Sequence, residues 1–412
     1  MARPWTEIAD VLGAVGARFL DPADPLRAEA LERLPEEADL SGAMAREVLD
    51  GMAADWTVER LRRTVVSEFE EAGCLDGIST VRGREVMAVG PELCLQIVSG
   101  SVPGVGVNAL LRSLLVKSPT LVKPGRADSL LTELFHRGLR ETDESIADAL
   151  AICYWPGGAE EPQREALAAA EVAVVYGSDG TVWEVRSAAP ATTRVVAYHH
   201  RIGLALIGRE VLTADVVDGV AADTARAVAL FEQRGCVCPH LVYVERGGEV
   251  EVAGFAERLA VAFGALESTL PSCSLDAVEG AALQQLRGTA ELHAASGSGF
   301  VRHGGPGASW TVVYEGPGIR EEGPLTVARG VRIRDLDDAS RLADLIAPLG
   351  SHLQSVAYAG LAGRATDIAE AVGRVGASRV VPIDRVSFPP PWWLHDGKGP
   401  LSDLVRWVEV ER

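Results

Sequence analysis

Positive charge is scarce in this chain of 412 residues: Lys and Arg number 39 against 58 Asp and Glu, a formal balance of −19. Such a surface repels phosphate backbones and anionic lipid headgroups, so nucleic acid and membrane surfaces are not expected partners. Cysteine is scarce too, with 6 residues. That is too few for a disulfide framework at this length, and the thiols are expected to be reduced, in a cytoplasm. No apolar run reaches the ~18 residues that a spanning helix requires. Glu7 and Asp10 interrupt the one candidate signal region. The compositional bias of disorder is also missing, since 47% of residues are hydrophobic and 24% charged. At roughly one domain per 150 residues the chain holds two or three domains.

What is present changes character along the chain. Residues 1–90 read as helical: Asp24-Pro25 opens one segment, and Thr57 opens another whose apolar positions Val58, Leu61, Val65 and Phe69 share a face. From Pro91, short apolar runs alternate with helix-length segments, which implies a parallel sheet covered by helices. The runs are Leu93 to Val98, Thr120 to Val122, Ala151 to Tyr154, Val172 to Tyr176 and Arg194 to Tyr198. The unbroken apolar character of residues 172–176 suits a strand buried on both faces, an architecture that dinucleotides favour. A second series of the same kind follows a cysteine-bearing loop at Gln233 to His240 and continues to Ile383. The expected division is a helical region 1–90, a dinucleotide-binding domain 91–229, a nucleophile-bearing α/β domain 230–384 and a Pro/Trp-rich tail 385–412. Glycines between Gly297 and Gly307 mark an expected mobile loop.

Three groups of residues could carry chemistry. Cys236 lies just beyond a helix-like segment with Arg234 close by, and an adjacent cation lowers a thiol pKa and exposes a nucleophilic thiolate. Two other readings stay open: a small buried hydrophobe, or a zinc ligand together with Cys238 and His240, which share a face if the segment is extended. The second group is Ser99 to Val107, a glycine turn between a strand and a helix, the geometry that aims backbone N–H groups at an anion. Two similar junctions, Leu121 to Arg126 and Tyr176 to Gly180, form the third group, with Lys123 and Arg126 adding positive charge. Each junction alone is a plain βα turn; together they could wrap a dinucleotide.

Three segments taken together resemble the LuxC-type fatty acyl-CoA reductases of the aldehyde dehydrogenase superfamily. They are Gly100 to Gly104 with Val116 to Pro124, the Cys236 loop, and Phe388-Pro389-Pro390-Pro391-Trp392-Trp393. Order and spacing match from about Trp56 to Trp407. The resemblance implies an aldehyde dehydrogenase-like α/β fold, with a Rossmann-type cofactor domain and a second α/β catalytic domain. It makes Cys236 the nucleophile that takes the acyl group from acyl-CoA as a thioester, which hydride from a reduced nicotinamide then releases as an aldehyde. Lys123 matches the lysine at the cofactor ribose, and Gly177 and Ser178 match the turn at the pyrophosphate. Arg126 stands where NAD-preferring members carry a glutamate, and an arginine there pairs with a 2′-phosphate, so the expected cofactor is NADPH.

Two departures accompany the match. Ala197 stands where hydrolytic relatives present a water-activating glutamate, a loss that suits a reductase because it protects the acyl-enzyme from water. Ser101 stands where the superfamily has an asparagine that helps hold the developing oxyanion; losing such a donor typically costs ~10²–10³ in rate. The resemblance also implies a homo-oligomer, and an acyl-supplying or aldehyde-consuming enzyme as partner. Competing expectations are an acyltransferase that uses the same thioester, and a catalytically weakened binding subunit. His199, His200 and the His395-Asp396 pair are read as structural, and Trp392 and Trp393 as packing residues.

Overall fold

The computed structural model describes residues 3–273, 275–305, 307–316 and 328–411. The chain divides into two compact units, Met1–His200 with Pro390–Arg412, and Arg201–Pro389.

The first unit opens with α1 (Trp5–Arg18), α2 (Pro25–Glu37), α3 (Gly42–Ala53) and α4 (Val58–Glu68). Asp24 caps α2 by accepting the Leu26 N–H, with Pro25 at the first helical position. Thr57 precedes α4 but its hydroxyl makes no cap. Residues 79–89, expected to be helical, instead form a hairpin of β1 (Ser79–Val81) and β2 (Arg84–Val89). Its turn holds Arg82 and Gly83 at φ 51° and 77°, the left-handed pair that matches strand twist in a two-residue loop.

There follow β3 (Cys94–Ile97), α5 (Val105–Leu115), β4 (Thr120–Lys123), α6 (Ser129–Thr142), α7 (Glu144–Ala147), β5 (Leu150–Ile152), α8 (Glu160–Ala169), β6 (Val172–Tyr176), α9 (Asp179–Ala188) and β7 (Arg194–Tyr198). The strands form a parallel sheet in the order β5-β4-β3-β6-β7. Every residue of β6 is buried, as its continuous apolar run requires. Strand order reverses between β3 and β6, and the crevice at the carboxyl ends there is where open α/β sheets take ligands.

The second unit holds β8 (Ile202–Ile207), α10 (Val217–Ala229), β9 (Pro239–Glu245), α11 (Val252–Thr269), α12 (Ala277–Ala295), β10 (Val301–His303), β11 (Thr311–Tyr314), β12 (Gly330–Leu336), α13 (Leu342–Ile346), β13 (Leu353–Ala359), α14 (Ala365–Arg374) and β14 (Arg379–Pro382). Its sheet runs β10-β11-β12-β9-β8-β13-β14, parallel except for β10 against β11. The unit starts at Arg201 and not at 230, because β8 is hydrogen-bonded between β9 and β13. The glycine-rich stretch contains β10, so its middle is strand and not loop; residue 306 lies outside the described residues. The tail returns to the first unit, where β15 (Arg406–Val410) pairs with β2. Among the described residues no helix is long and apolar enough to cross a membrane.

Candidate active site

After α10 the backbone enters a conformation that side chains rarely adopt. Phe231, Glu232 and Gln233 follow one another at φ 56°, 52° and 61°. Left-handed non-glycine residues cost of order 1–3 kcal/mol each and persist only where the surroundings impose them. Here two anchors do so. The buried Arg329 guanidinium meets the buried Glu232 carboxylate through Nε–Oε2 at 2.8 Å and Nη2–Oε1 at 2.9 Å. The Gln233 amide donates to the carbonyls of Pro239 (2.9 Å) and Gly330 (3.0 Å) and accepts the Gly330 N–H at 3.0 Å. From beneath, Gly203 leaves room for the loop: a Cβ there would stand 2.6 Å from the Val237 carbonyl oxygen and 2.7 Å from that of Cys238.

This frame presents two cysteines in opposite circumstances. Cys238 is fully buried, donates its S–H to the Leu230 carbonyl at 3.3 Å, and burial pushes its thiol up to about 12. Cys236 is only half-buried. An inert packing thiol thus lies beside a more accessible one. The extended segment that the zinc reading needs is a turn, closed by the Cys238 N–H on the Gly235 carbonyl at 3.0 Å, and His240 is buried in β9. Arg234, the expected neighbouring cation, is paired with Glu279 of α12 through Nε at 2.9 Å and Nη2 at 3.2 Å.

The other expected site residues lie in the first unit, at the carboxyl ends of its strands. The turns after β3 and β4 touch backbone to backbone: a Cβ on Gly125 would stand 2.1 Å from the Gly100 nitrogen, and one on Gly100 would stand 2.9 Å from the Arg126 nitrogen. Exposed Ser101 and exposed Arg126 are thereby brought together. The acceptor that the α5 N-terminus holds is internal. The buried Asp128 carboxylate accepts the Gly104 N–H at 2.6 Å and the Gly106 N–H, while burial pushes its carboxyl up to about 8. Expecting those amides to face a ligand is therefore wrong, and Asp128 is a residue that sequence reasoning missed. Lys123 ends β4 half-buried, its ammonium 5.8 Å over the Tyr154 ring, with burial drawing its pKa down. Across the point of strand reversal, Gly177 follows β6, and the Ser178 hydroxyl caps α9 by accepting the Thr181 N–H at 3.2 Å. An ammonium, an exposed guanidinium and a helix N-terminus around this crevice are donors suited to an anionic dinucleotide.

Ala197 is buried, its methyl group offers no base, and its carbonyl accepts the Lys398 ammonium at 2.9 Å. The tail that brings Lys398 there also stacks His395 between Tyr198 and Trp393, with ring centroids at 4.4 and 4.5 Å, and Tyr198 lies 4.7 Å from Tyr176. Trp392 packs under the guanidinium of Arg63 at 4.0 Å. These aromatic rings do packing work within the first unit. His199 lies 3.6 Å from Asp179 and contacts the His200 carbonyl.

Solved structures share the fold of this chain. A superposition with an oxidoreductase from Marinobacter aquaeolei covers 100% of this chain and 86% of that one, with a TM-score of 0.78 at 14% identity. One with a succinic semialdehyde dehydrogenase from Streptococcus pyogenes, solved with NADP+, covers 99% and 90%, with a TM-score of 0.75 at 11% identity. A mutant aldehyde dehydrogenase from Pseudomonas syringae, solved with NAD+ and octanal, gives 0.73 at 14% identity over 99% and 84%. The fold is that of the aldehyde dehydrogenases. Within it, the model of the acyl-CoA reductase (LuxC) family matches residues 2–407, and the chain belongs to that family. A long-chain acyl-protein thioester reductase of Vibrio harveyi is 21% identical over 323 residues, 77% of this chain and 64% of that one. Its counterpart in Photobacterium phosphoreum is 22% identical over 386 residues, 92% and 73%. The match thus spans a little under two thirds of the Vibrio harveyi relative.

Proposed function

We propose that the protein reduces long-chain fatty acyl thioesters, acyl-CoA among them, to fatty aldehydes at Cys236, with NADPH as the reductant. The observation that carries this reading is the Cys236 loop itself, a half-exposed thiol at the end of a strained segment pinned by buried polar anchors, beside a second thiol made inert by burial. Support comes from family membership and from relatives whose names describe reduction of a long-chain acyl-protein thioester.

In this scheme the Cys236 thiolate attacks the acyl carbonyl carbon, a new C–S bond forms, and the bond to the CoA sulfur breaks with CoA leaving as thiolate. A reduced nicotinamide, if held by Lys123, Arg126, Gly177 and Ser178, would supply the hydride that this carbon takes up. The Cys236–carbon bond then breaks, giving aldehyde and the thiolate again, so one acyl-CoA, one NADPH and one proton give one aldehyde, one CoA and one NADP+. Ser101 and the Cys236 N–H are proposed as oxyanion donors. Lys123, Gly177 and Ser178 are proposed to hold the cofactor ribose and pyrophosphate, and Arg126 the 2′-phosphate. The lack of a carboxylate at Ala197 preserves the thioester from hydrolysis. A homo-oligomer, with an acyl-supplying or aldehyde-consuming enzyme as partner, completes the proposal.

The test is incubation with palmitoyl-CoA and no cofactor, followed by intact-mass measurement. One acyl group is expected on the wild-type protein and none on Cys236→Ala. Adding NADPH is expected to discharge the acyl group as trapped aldehyde; discharge as free acid, or onto another thiol, overturns the reductase reading. Running the same assay with an acylated carrier protein in place of palmitoyl-CoA decides which donor is used.

A further inference from the structure

The cation expected to favour the Cys236 thiolate, Arg234, is committed to Glu279, yet another cation stands across the sheet. Ser355 of β13 brings its hydroxyl within 3.5 Å of the Val237 carbonyl, so the face of the sheet that carries Ser355 looks onto the Cys236 loop. The cross-strand neighbour of Ser355 is Arg379, the first residue of β14. Residues paired across a ladder point to the same face, and the alternate pair, Val356 and Val380, packs into the core on the other side. Arg379 therefore projects on the loop side. Its Nη1 donates to the Val386 carbonyl at 2.6 Å and its Nη2 to the Arg385 carbonyl at 2.7 Å. Neutral carbonyl oxygens orient a guanidinium without cancelling its charge.

We propose that Arg379 is the counter-cation of the Cys236 thiolate, held in place by the 385–386 carbonyls. This deepens the proposed function and rests on Cys236 as its nucleophile. Burial draws the Arg379 guanidinium down to about 10, and the charge of the Cys236 sulfur acts against that fall, so each group favours the charged form of the other. The surrounding ionisable groups have named partners. Glu232 is bound to Arg329, Arg234 interacts with Glu279 and Cys273, and Cys238 is buried. On α10 and in the turn after β14, Asp223 interacts with Arg226 and Asp384, and Asp384 with Arg385. Arg379 is also the one guanidinium among these that the sheet register aims at the loop.

The experiment is the pH dependence of iodoacetamide alkylation of Cys236 in the full-length protein, located by peptide mass mapping. The wild-type rate is expected to rise through a midpoint below the ~8.5 of an ordinary cysteine. Arg379→Gln is expected to move that midpoint up by about one pH unit, roughly ten-fold slower alkylation near neutrality. Arg379→Lys keeps the charge and is expected to stay near wild type, and Arg234→Gln is expected to leave the midpoint in place. A wild-type midpoint at or above the ordinary value overturns the proposal without any variant. So does a shift in Arg379→Lys as large as in Arg379→Gln, or no shift in either. If the acyl adduct fails to form while the alkylation midpoints behave as described, the catalytic reading falls and the pairing of Arg379 with Cys236 stands.

Discussion

The Arg329 guanidinium and the Glu232 carboxylate face each other through two hydrogen bonds of 2.8 and 2.9 Å with both side chains out of solvent. Arg329 also donates to the Leu270 carbonyl at 2.9 Å, so the pair ties the start of β12, the end of α11 and the Cys236 loop into one node. Removing one member of a buried ion pair leaves the other charge uncompensated, at a cost of about 3–5 kcal/mol. Glu232→Gln is expected to lower the unfolding free energy by that order in a denaturant titration. Because the left-handed turn loses an anchor, the variant is also expected to slow Cys236 alkylation at a fixed pH. Equal alkylation rates in variant and wild type would show that the pair stabilises the unit without shaping the loop.

At Gly203 the constraint is steric. The atoms that a Cβ would meet, the Val237 and Cys238 carbonyl oxygens at 2.6 and 2.7 Å, are backbone and cannot swing aside. Gly203→Ala is expected to displace the loop and cost about 1–3 kcal/mol, as overpacking does. Gly264, in the interior of α11, has nothing within 4 Å of its Cβ position. Gly264→Ala is therefore expected to gain roughly 0.5–1 kcal/mol by helix propensity. Thermal denaturation of the two variants, with acylation of Cys236 read alongside, checks the contrast.

These dependences also show what the sequence can and cannot disclose. The strand Val172–Tyr176 is legible end to end, because burial on both faces demands a continuous apolar run. Strand β12 sits in the interior of its sheet yet carries Arg332 and Arg334, which break the apolar run. Both point to Glu315, at 3.8 and 2.6 Å, a partner seventeen and nineteen positions away that no local pattern announces. The same holds for the site. Cys236 stands out as a loop cysteine after a glycine, and Lys123 and Arg126 as charges at a strand end. Asp128, Gln233 and Arg379 act through backbone groups or register neighbours that only the folded chain supplies. Three successive left-handed residues without a glycine have no sequence signature at all.

Arg126 is exposed beside the turn that carries Ser101, where its guanidinium can take a phosphate bidentately. If it reads the 2′-phosphate, Arg126→Glu places a negative charge against that group and offers the unphosphorylated ribose an acceptor. The variant is expected to raise KM for NADPH at least ten-fold while improving use of NADH. Steady-state kinetics with both cofactors measures this, and an unchanged preference would remove Arg126 from the cofactor site.

Glu245, at the end of β9, collects donors on both oxygens while fully shielded from solvent. Arg364 gives Nη1 at 2.7 Å and Nη2 at 2.8 Å, Arg209 gives Nη2 at 2.7 Å and its N–H at 3.1 Å, and Ala339 gives its N–H at 2.9 Å. Burial acts to raise the carboxyl pKa, but the Arg364 and Arg209 hydrogen bonds and the two backbone N–H groups outweigh it and hold the pKa far below the usual carboxylate range. A folded-state pKa below the unfolded one means that the unfolded chain binds more protons, so stability rises with pH across the interval between the two values. The contribution of Glu245 is therefore complete above the ordinary glutamate value of about 4.3 and is lost as pH falls beneath it. Glu245→Gln is expected to be less stable than wild type at pH 7, where two guanidinium groups lose their shared counter-charge. The gap is expected to narrow steadily between about pH 5 and pH 3. Melting temperatures of the two proteins across that range provide the measurement, and parallel curves would show that this carboxylate does not govern the acid limb of stability.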